Sequence, residues 1–256
     1  MQNNTLPKVS VLIPAYNEEK YIVRTLTAIY QQDYPNFEVI VADNHSTDTT
    51  AQLVNQFISE HSKQGPSIKM VYENRQGTNF ARESARLVST GSVIAQLDAD
   101  CIPSSNWISK GVSQLYGKKR VAVTGPYDYF DGEQWMRLLS LLSQKLIYPL
   151  INRLVQFSNR GAILIGGNAL IRADVLTKAG GYNTDLTFYG DDIDLGKKLS
   201  KFGRVVYAPG LVQASSSRRY KAGGFWKVNK KYQTCFWDLV WNKNILLTTV
   251  ETDHPR

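Results

Sequence analysis

Over its first hundred residues the chain repeats one rhythm, and that rhythm leaves few folds open. Apolar, β-type runs at residues 8–13, 37–42, 68–72 and 92–97 alternate with helical stretches. The helical stretches are 17–32, the segment from the loop Asn44-His45-Ser46-Thr47-Asp48 to Lys63, and 78–89. Pro14, Pro35 and Gly91 punctuate them. In the first, Ile22, Leu26 and Ile29 share one face, Asn17 reads as the N-cap, and Glu18 and Glu19 suit a helix N-terminus. Strands that alternate with helices predict an α/β domain with a mostly parallel sheet. No Gly-x-Gly-x-x-Gly and no Walker lysine loop follows the first strand, so a nucleotide would be held differently from those of dinucleotide or P-loop folds.

The fourth run continues as Gln96-Leu97-Asp98-Ala99-Asp100. In open α/β sheets ligands bind beyond the carboxyl ends of the strands, which puts Asp98 and Asp100 at the crevice. Two carboxylates there repel unless a positive group joins them. A divalent cation, Mg²⁺ or Mn²⁺, shared with substrate phosphates meets that need. The alternative is a strand end closed by turn-forming aspartates.

The second half is less regular. A helix is expected over 104–116, strands at 121–124 and 204–208, and a loop at Gly166-Gly167-Asn168 that enters another strand. Helices are expected at 174–179 and from Asp191 to Phe202, and an aromatic segment covers 225–241. Between 135 and 157 the chain is rich in Leu, Ile, Trp and Tyr, but Arg137, Lys145, Pro149 and Arg153 interrupt it, so its apolar runs are too short to span a bilayer. Trp135, Leu138, Leu139, Leu142 and Leu146 share a helical face. That face fits a helix lying on a membrane, with Arg137 and Lys145 toward head groups, or a helix packed on the domain. The net charge of +8 favours an acidic partner, an anionic lipid or a phosphorylated substrate among them, and no nucleic-acid signature is visible. The polar residues 1–8 predict no signal peptide, and Cys101 and Cys235 match no metal or redox spacing, so both read as free thiols in a reducing compartment.

Four landmarks in order give the chain a family resemblance: Ile13-Pro14-Ala15-Tyr16-Asn17-Glu18, Val41-Ala42-Asp43-Asn44-His45-Ser46-Thr47-Asp48, Leu97-Asp98-Ala99-Asp100, and Gly190-Asp191-Asp192-Ile193-Asp194-Leu195. The sequence resembles the family 2 glycosyltransferases, whose fold is called GT-A, over roughly residues 9–220. The resemblance implies one GT-A domain, with a nucleotide-sugar half over 1–103 and an acceptor half over 104–256. It implies that Pro14, Ala15, Tyr16 and Glu18 line a nucleoside pocket, that Asp43 accepts a hydrogen bond from the base, usually uracil, and that Gly77 and Arg82 give a third nucleotide contact. Asp100 would hold the divalent cation on the diphosphate, with Asp98 nearer the ribose or donor sugar.

Asp192 aligns with the family's general base and would take the proton of an acceptor hydroxyl, with inversion at the anomeric carbon. Asp191 stands where the family carries Glu, and Asp194 points about 200° around the helix from Asp192. Processive members carry Gln-x-x-Arg-Trp; here Ser216-Ser217-Arg218-Arg219-Tyr220 stands instead, which argues against a processive synthase. Arg218 or Arg219 remains able to clamp a diphosphate. The implied partners are a sugar nucleotide, UDP-linked by the family's habit, and a hydroxyl acceptor, a glycan or a lipid-linked intermediate of cell-surface polysaccharide synthesis. The expected location is the cytoplasm, peripheral on the inner membrane face. Two other classes stay open: a sugar-phosphate nucleotidyltransferase, whose Gly-rich basic loop after the first strand is missing here, and a non-catalytic sugar-nucleotide binder.

Overall fold

A computed structural model of the chain describes residues 6–62, 65–117, 119–186 and 190–241. The expected helix end at Lys63, the basic residue Lys118, and most of the polar stretch 1–8 lie outside them. The first half builds β1 (Val9–Ala15), α1 (Ile22–Tyr30), β2 (Phe37–Asp43), α2 (Thr50–His61), β3 (Ser67–Tyr72), α3 (Thr78–Leu87) and β4 (Val93–Leu97). The chain continues through β5 (Cys101–Ile102), α4 (Trp107–Leu115), β6 (Arg120–Thr124), β7 (Tyr127–Tyr129), α5 (Gln134–Leu146) and α6 (Tyr148–Phe157). It closes with β8 (Asn168–Arg172), α7 (Ala173–Lys178), α8 (Asp191–Ser200), β9 (Arg204–Tyr207), β10 (Gln213–Ser215), α9 (Arg218–Gly223) and α10 (Phe225–Trp241).

The large sheet has the order β3-β2-β1-β4-β8-β6-β9. β1, β2, β3 and β4 run parallel, and β8 enters antiparallel between β4 and β6. The fold is therefore α/β, with a mostly parallel central sheet flanked by helices. Both faces of the sheet are covered, which is why β1 and β2 are apolar at nearly every position rather than alternating. Val9, Val11 and Ile13 face Leu26 of α1, Phe57 of α2 and Trp107 of α4. Leu12, Ile40 and Ile94 face Ala81 of α3, Leu176 of α7 and Leu195 of α8. Glu38 is a buried polar exception on β2, with Asp43 at its end. It accepts hydrogen bonds from Ser10 Oγ at 2.7 Å and from the Thr90 amide at 2.8 Å, and pairs with Lys69 at 3.1 Å.

A second, small sheet has the order β5-β10-β7. Its strands are two or three residues long, too short to carry a periodic pattern. It positions the site all the same, because the pairing Ser215↔Cys101 brings residues 216–219 against Asp100.

Two sequence expectations change. Asn17 is not a helix N-cap: its backbone is left-handed (φ 54°), its Oδ1 accepts from the Thr47 amide at 2.8 Å, and α1 begins at Ile22. The stretch 135–157 is two helices, and it is packed on the domain by its polar face. Gln144 of α5 exchanges hydrogen bonds with the backbone of Tyr127, and Asn152 and Gln156 of α6 bond the Val205 backbone on β9. These amides satisfy backbone groups on their inner side. The Trp135, Leu138, Leu139, Leu142 and Leu146 face is left exposed.

Candidate active site

Leu97 ends β4, so Asp98 and Asp100 emerge at the carboxyl edge of the sheet, beside the start of β8 through the register Leu97↔Asn168. Asn168 fixes that junction, accepting from Trp107 Nε1 at 2.8 Å and donating through Nδ2 to the Leu211 carbonyl at 2.8 Å. Just before it, Gly166 and Gly167 pack against the carboxylates. A Cβ on Gly166 would meet Asp192 Oδ1 at 2.1 Å, and one on Gly167 would meet Asp98 Oδ2 at 2.2 Å. The Gly166 amide donates to Asp192 Oδ2 at 3.0 Å. The glycine pair thus cradles the two acids.

Gly190, with φ 97°, turns the chain into α8 and leaves Asp191 and Asp192 at its first turn. Asp194 faces the other way and pairs with Lys198 at 3.0 Å. Arg82, on α3 and 4% exposed, reaches across to both segments. Its guanidinium lies 3.1 Å from Asp98, 3.1 Å from Asp191 and 3.5 Å from Asp192. The expected nucleotide contact at Arg82 is therefore, in this structure, a hub for three acids. Burial pushes the Asp192 carboxyl up to about 8, Asp191 adds to the rise, and Arg82 opposes it. Tyr127, which sequence reasoning missed, donates its hydroxyl to Asp98 Oδ2 at 3.0 Å.

Across the cavity Arg218 Nε forms an ion pair with Asp100 Oδ2 at 3.1 Å, and Arg218 Nη1 donates to Glu18 at 2.7 Å. Burial raises both acids, Glu18 to about 7, while Arg218 pulls each back down. Arg219 also reaches the cavity, and its guanidinium bonds the Tyr232 hydroxyl of α10. At the other end Pro14, Ala15 and Tyr16 form part of the wall. Asp43 and Gly77 stand behind it: their neighbours Asn44 and Thr78 line the cavity, and Asn44 Oδ1 accepts from the Gly77 amide at 2.8 Å. Asp43 is 3% exposed, and its Oδ1 has no hydrogen-bond partner among the described residues.

Asp98, Asp100 and Asp192 all line one cavity of about 380 Å³, a volume in the range of small-ligand sites. Ligand atoms of Asp98, Asp100 and Cys101 lie within 4.8 Å of one another. The carboxylates are hard oxygen donors that suit Mg²⁺ or Mn²⁺. Cys101 is buried, and desolvation pushes its thiol well up.

A mostly parallel α/β sheet with strand-end acids around one cavity is the architecture of the GT-A glycosyltransferases. The model of the family described as glycosyl transferase family 2 matches residues 10–180, and the chain belongs to that family. Glycosyltransferase AglE of Haloferax volcanii is 38% identical over 117 residues, covering 44% of this chain and 37% of its own length. The probable glycosyltransferase YdaM of Bacillus subtilis is 31% identical over 186 residues, 70% of this chain and 43% of its own length. The chain thus matches less than half the length of these relatives.

Among solved structures, a mannosyltransferase of Pyrobaculum calidifontis in complex with GDP-Man and Mn²⁺ superposes with TM-score 0.68 at 25% identity. That match covers 92% of this chain and 66% of that one. S. aureus TarS 1-349 in complex with UDP-GlcNAc superposes with TM-score 0.61 at 20% identity, over 82% of this chain and 58% of that one, a likeness of fold.

Proposed function

We propose that the protein is a metal-dependent, inverting glycosyltransferase. It moves a sugar from a nucleoside-diphosphate donor, UDP-linked, to the hydroxyl of a glycan or lipid-linked acceptor in cell-surface polysaccharide synthesis. It works in the cytoplasm, peripheral on the inner face of a membrane. One observation carries this reading: Asp98, Asp100 and Asp192, from segments nearly a hundred residues apart, line the same cavity, with Arg82 holding Asp98 to Asp192 and Arg218 pairing with Asp100.

Asp100, with Asp98 beside it, would hold the divalent cation, which offsets negative charge on the departing diphosphate. Arg218 and Arg219 lie on the same side and offer guanidinium donors to phosphate oxygens. Pro14, Ala15, Tyr16 and Glu18 shape the nucleoside end. Asp43, with an unpartnered buried oxygen, offers an acceptor to a ring N–H of the base, and Gly77 holds the neighbouring turn through Asn44. Asp192 takes the proton of the acceptor hydroxyl as its oxygen bonds the anomeric carbon. The bond from that carbon to the diphosphate breaks, and the nucleoside diphosphate leaves with the electron pair. The amide of Gly166 and the guanidinium of Arg82 hold the Asp192 carboxylate in place for that transfer.

The relatives' complexes name both GDP-Man and UDP-GlcNAc. A thermal-shift screen of UDP- and GDP-sugars with and without Mn²⁺ tests the donor, since a ligand that binds the native state raises the melting temperature. Released nucleoside diphosphate marks a transferase. Pyrophosphate would mark a nucleotidyltransferase, and no turnover with any acceptor a simple binder.

A further inference from the structure

The helices that wall the acceptor side of the cavity carry a second surface. Ser140, Ser143 and Gln144 of α5, with Tyr148 and Ile151 of α6, line the cavity on one side; Asn229, Tyr232 and Phe236 of α10 line it on the other. On the opposite side of α5 stand Leu138, Leu139, Leu142 and Leu146, all exposed. The row continues along α6 through Leu150 and Leu154 to Phe157, which is 93% exposed. α10 presents Trp226, Trp237 and Trp241 along one face, by helical spacing, and all three are exposed. Ring contact of Trp135 with Phe225, and Arg160 stacked 3.9 Å over Trp241, tie α10 to both ends of the α5–α6 pair. An exposed apolar surface of this extent on a folded domain marks a binding face.

Charge selects the occupant. α5, α6 and α10 carry Arg137, Lys145, Arg153, Lys227, Lys230 and Lys231 against one acid, Asp238. Arg137 is already matched by Asp128, whereas Arg153 and Lys227 are exposed at the edges of the apolar rows by helical spacing, and Lys230 is exposed within the Trp row. Two copies meeting through this face would bring like charges together, which disfavours self-association. Apolar side chains flanked by Lys and Arg match the boundary between acyl chains and anionic head groups. Among the described residues no helix is long and apolar enough to cross a membrane, so the contact is one of lying on the bilayer.

We propose that α5, α6 and α10 seat the protein on an anionic lipid bilayer through these Leu and Trp rows, with the cavity opening between the seated helices. This gives the peripheral attachment proposed above a defined surface. It is read by lipid binding alone, so its failure and failure of the transferase reading are separate results.

The test is co-sedimentation of the full chain with vesicles of phosphatidylcholine, alone or mixed with phosphatidylglycerol, at low and high salt. The expected result is partition onto the mixed vesicles that weakens with salt. It should fall at least about tenfold in Leu142→Glu/Leu146→Glu, since burying one leucine is worth about 1.5–3 kcal/mol. K227E/K230E should lose the preference for anionic lipid while keeping its melting temperature, which separates lost binding from lost folding. No partition onto anionic vesicles at low salt would overturn the proposal, as would partition that the folded variants leave unchanged. Light scattering that shows a lipid-free dimer abolished by L142E/L146E would assign the face to a second copy instead.

Discussion

Arg218 Nε lies 3.1 Å from Asp100 Oδ2, joining the start of α9 to the turn between β4 and β5. The small sheet makes that contact, by pairing Ser215 with Cys101. Arg218 also holds Glu18, so one guanidinium bridges the acids proposed for the nucleoside end and the cation end of the cavity. Arg218→Ala should raise the donor KM at least about tenfold, the loss of one to two charge-assisted hydrogen bonds at roughly 1.5–3 kcal/mol each. Arg218→Lys should recover part of it, because lysine keeps the charge and loses the fork. Steady-state kinetics over donor concentration check both; an unchanged KM in R218A removes Arg218 from the donor site.

Asp192 should set the pH profile. A general base must be deprotonated, and burial with Asp191 beside it places the carboxyl near 8. The sign follows: the active, deprotonated fraction is small at pH 6, grows through pH 8, and levels above it. The rate should therefore rise with pH along one limb. Asp192→Asn should lower kcat by about 10²- to 10⁴-fold and leave donor affinity in place. Arg82→Gln removes the cation that favours the charged form, so its limb should move to higher pH. A profile flat from pH 6 to 9 in the parent protein would exclude Asp192 as the base.

The glycine pair offers a steric test. Gly167→Ala would set a methyl 2.2 Å from Asp98 Oδ2 and 2.3 Å from the Tyr127 hydroxyl, forcing both to move. Activity should fall more than stability does. Parallel assays of turnover and melting temperature read the difference; a G167A protein with full activity would show that this carboxylate tolerates displacement.

Glu38 governs stability away from the cavity. Burial would raise its pKa, but hydrogen bonds from Ser10, Thr90 and Lys69 outweigh burial and pull it down to about 2. A depressed acid stabilises the fold above its unfolded value, near 4.5, and loses that contribution as pH falls toward 2. Glu38→Gln should thus cost about 2–3 kcal/mol at pH 7 and little at pH 2, by urea denaturation at the two pH values. An equal cost at both would locate the effect in packing.

Much of this site is visible in the chain because strand and function coincide. The apolar run into Asp98 and Asp100 is a buried strand, and its end is the crevice. The same logic brings out Asp43 at the end of β2 and Asp191 and Asp192 at the start of α8. What stays hidden depends on tertiary contacts. Tyr127 and the residues that place Arg218 lie on strands of two or three residues, with no period to read. Arg82 looks like any helix-surface arginine until α3 is packed beside the ends of β4 and α8. By spacing alone the leucine face of α5 fits either a helix lying on a membrane or one packed on the domain. It is exposed because Gln144, Asn152 and Gln156 use the opposite side to satisfy strand backbone.

The central claim is that Asp100 holds a cation through which the donor's diphosphate is bound. Isothermal titration of the preferred sugar nucleotide into the protein, with Mn²⁺ and with excess EDTA, tests it most directly when repeated on Asp100→Ala. The account expects tight binding only for the parent protein with Mn²⁺, and equally weak binding in the other three cases. Binding of the same strength with EDTA, or in a folded D100A protein, would contradict it.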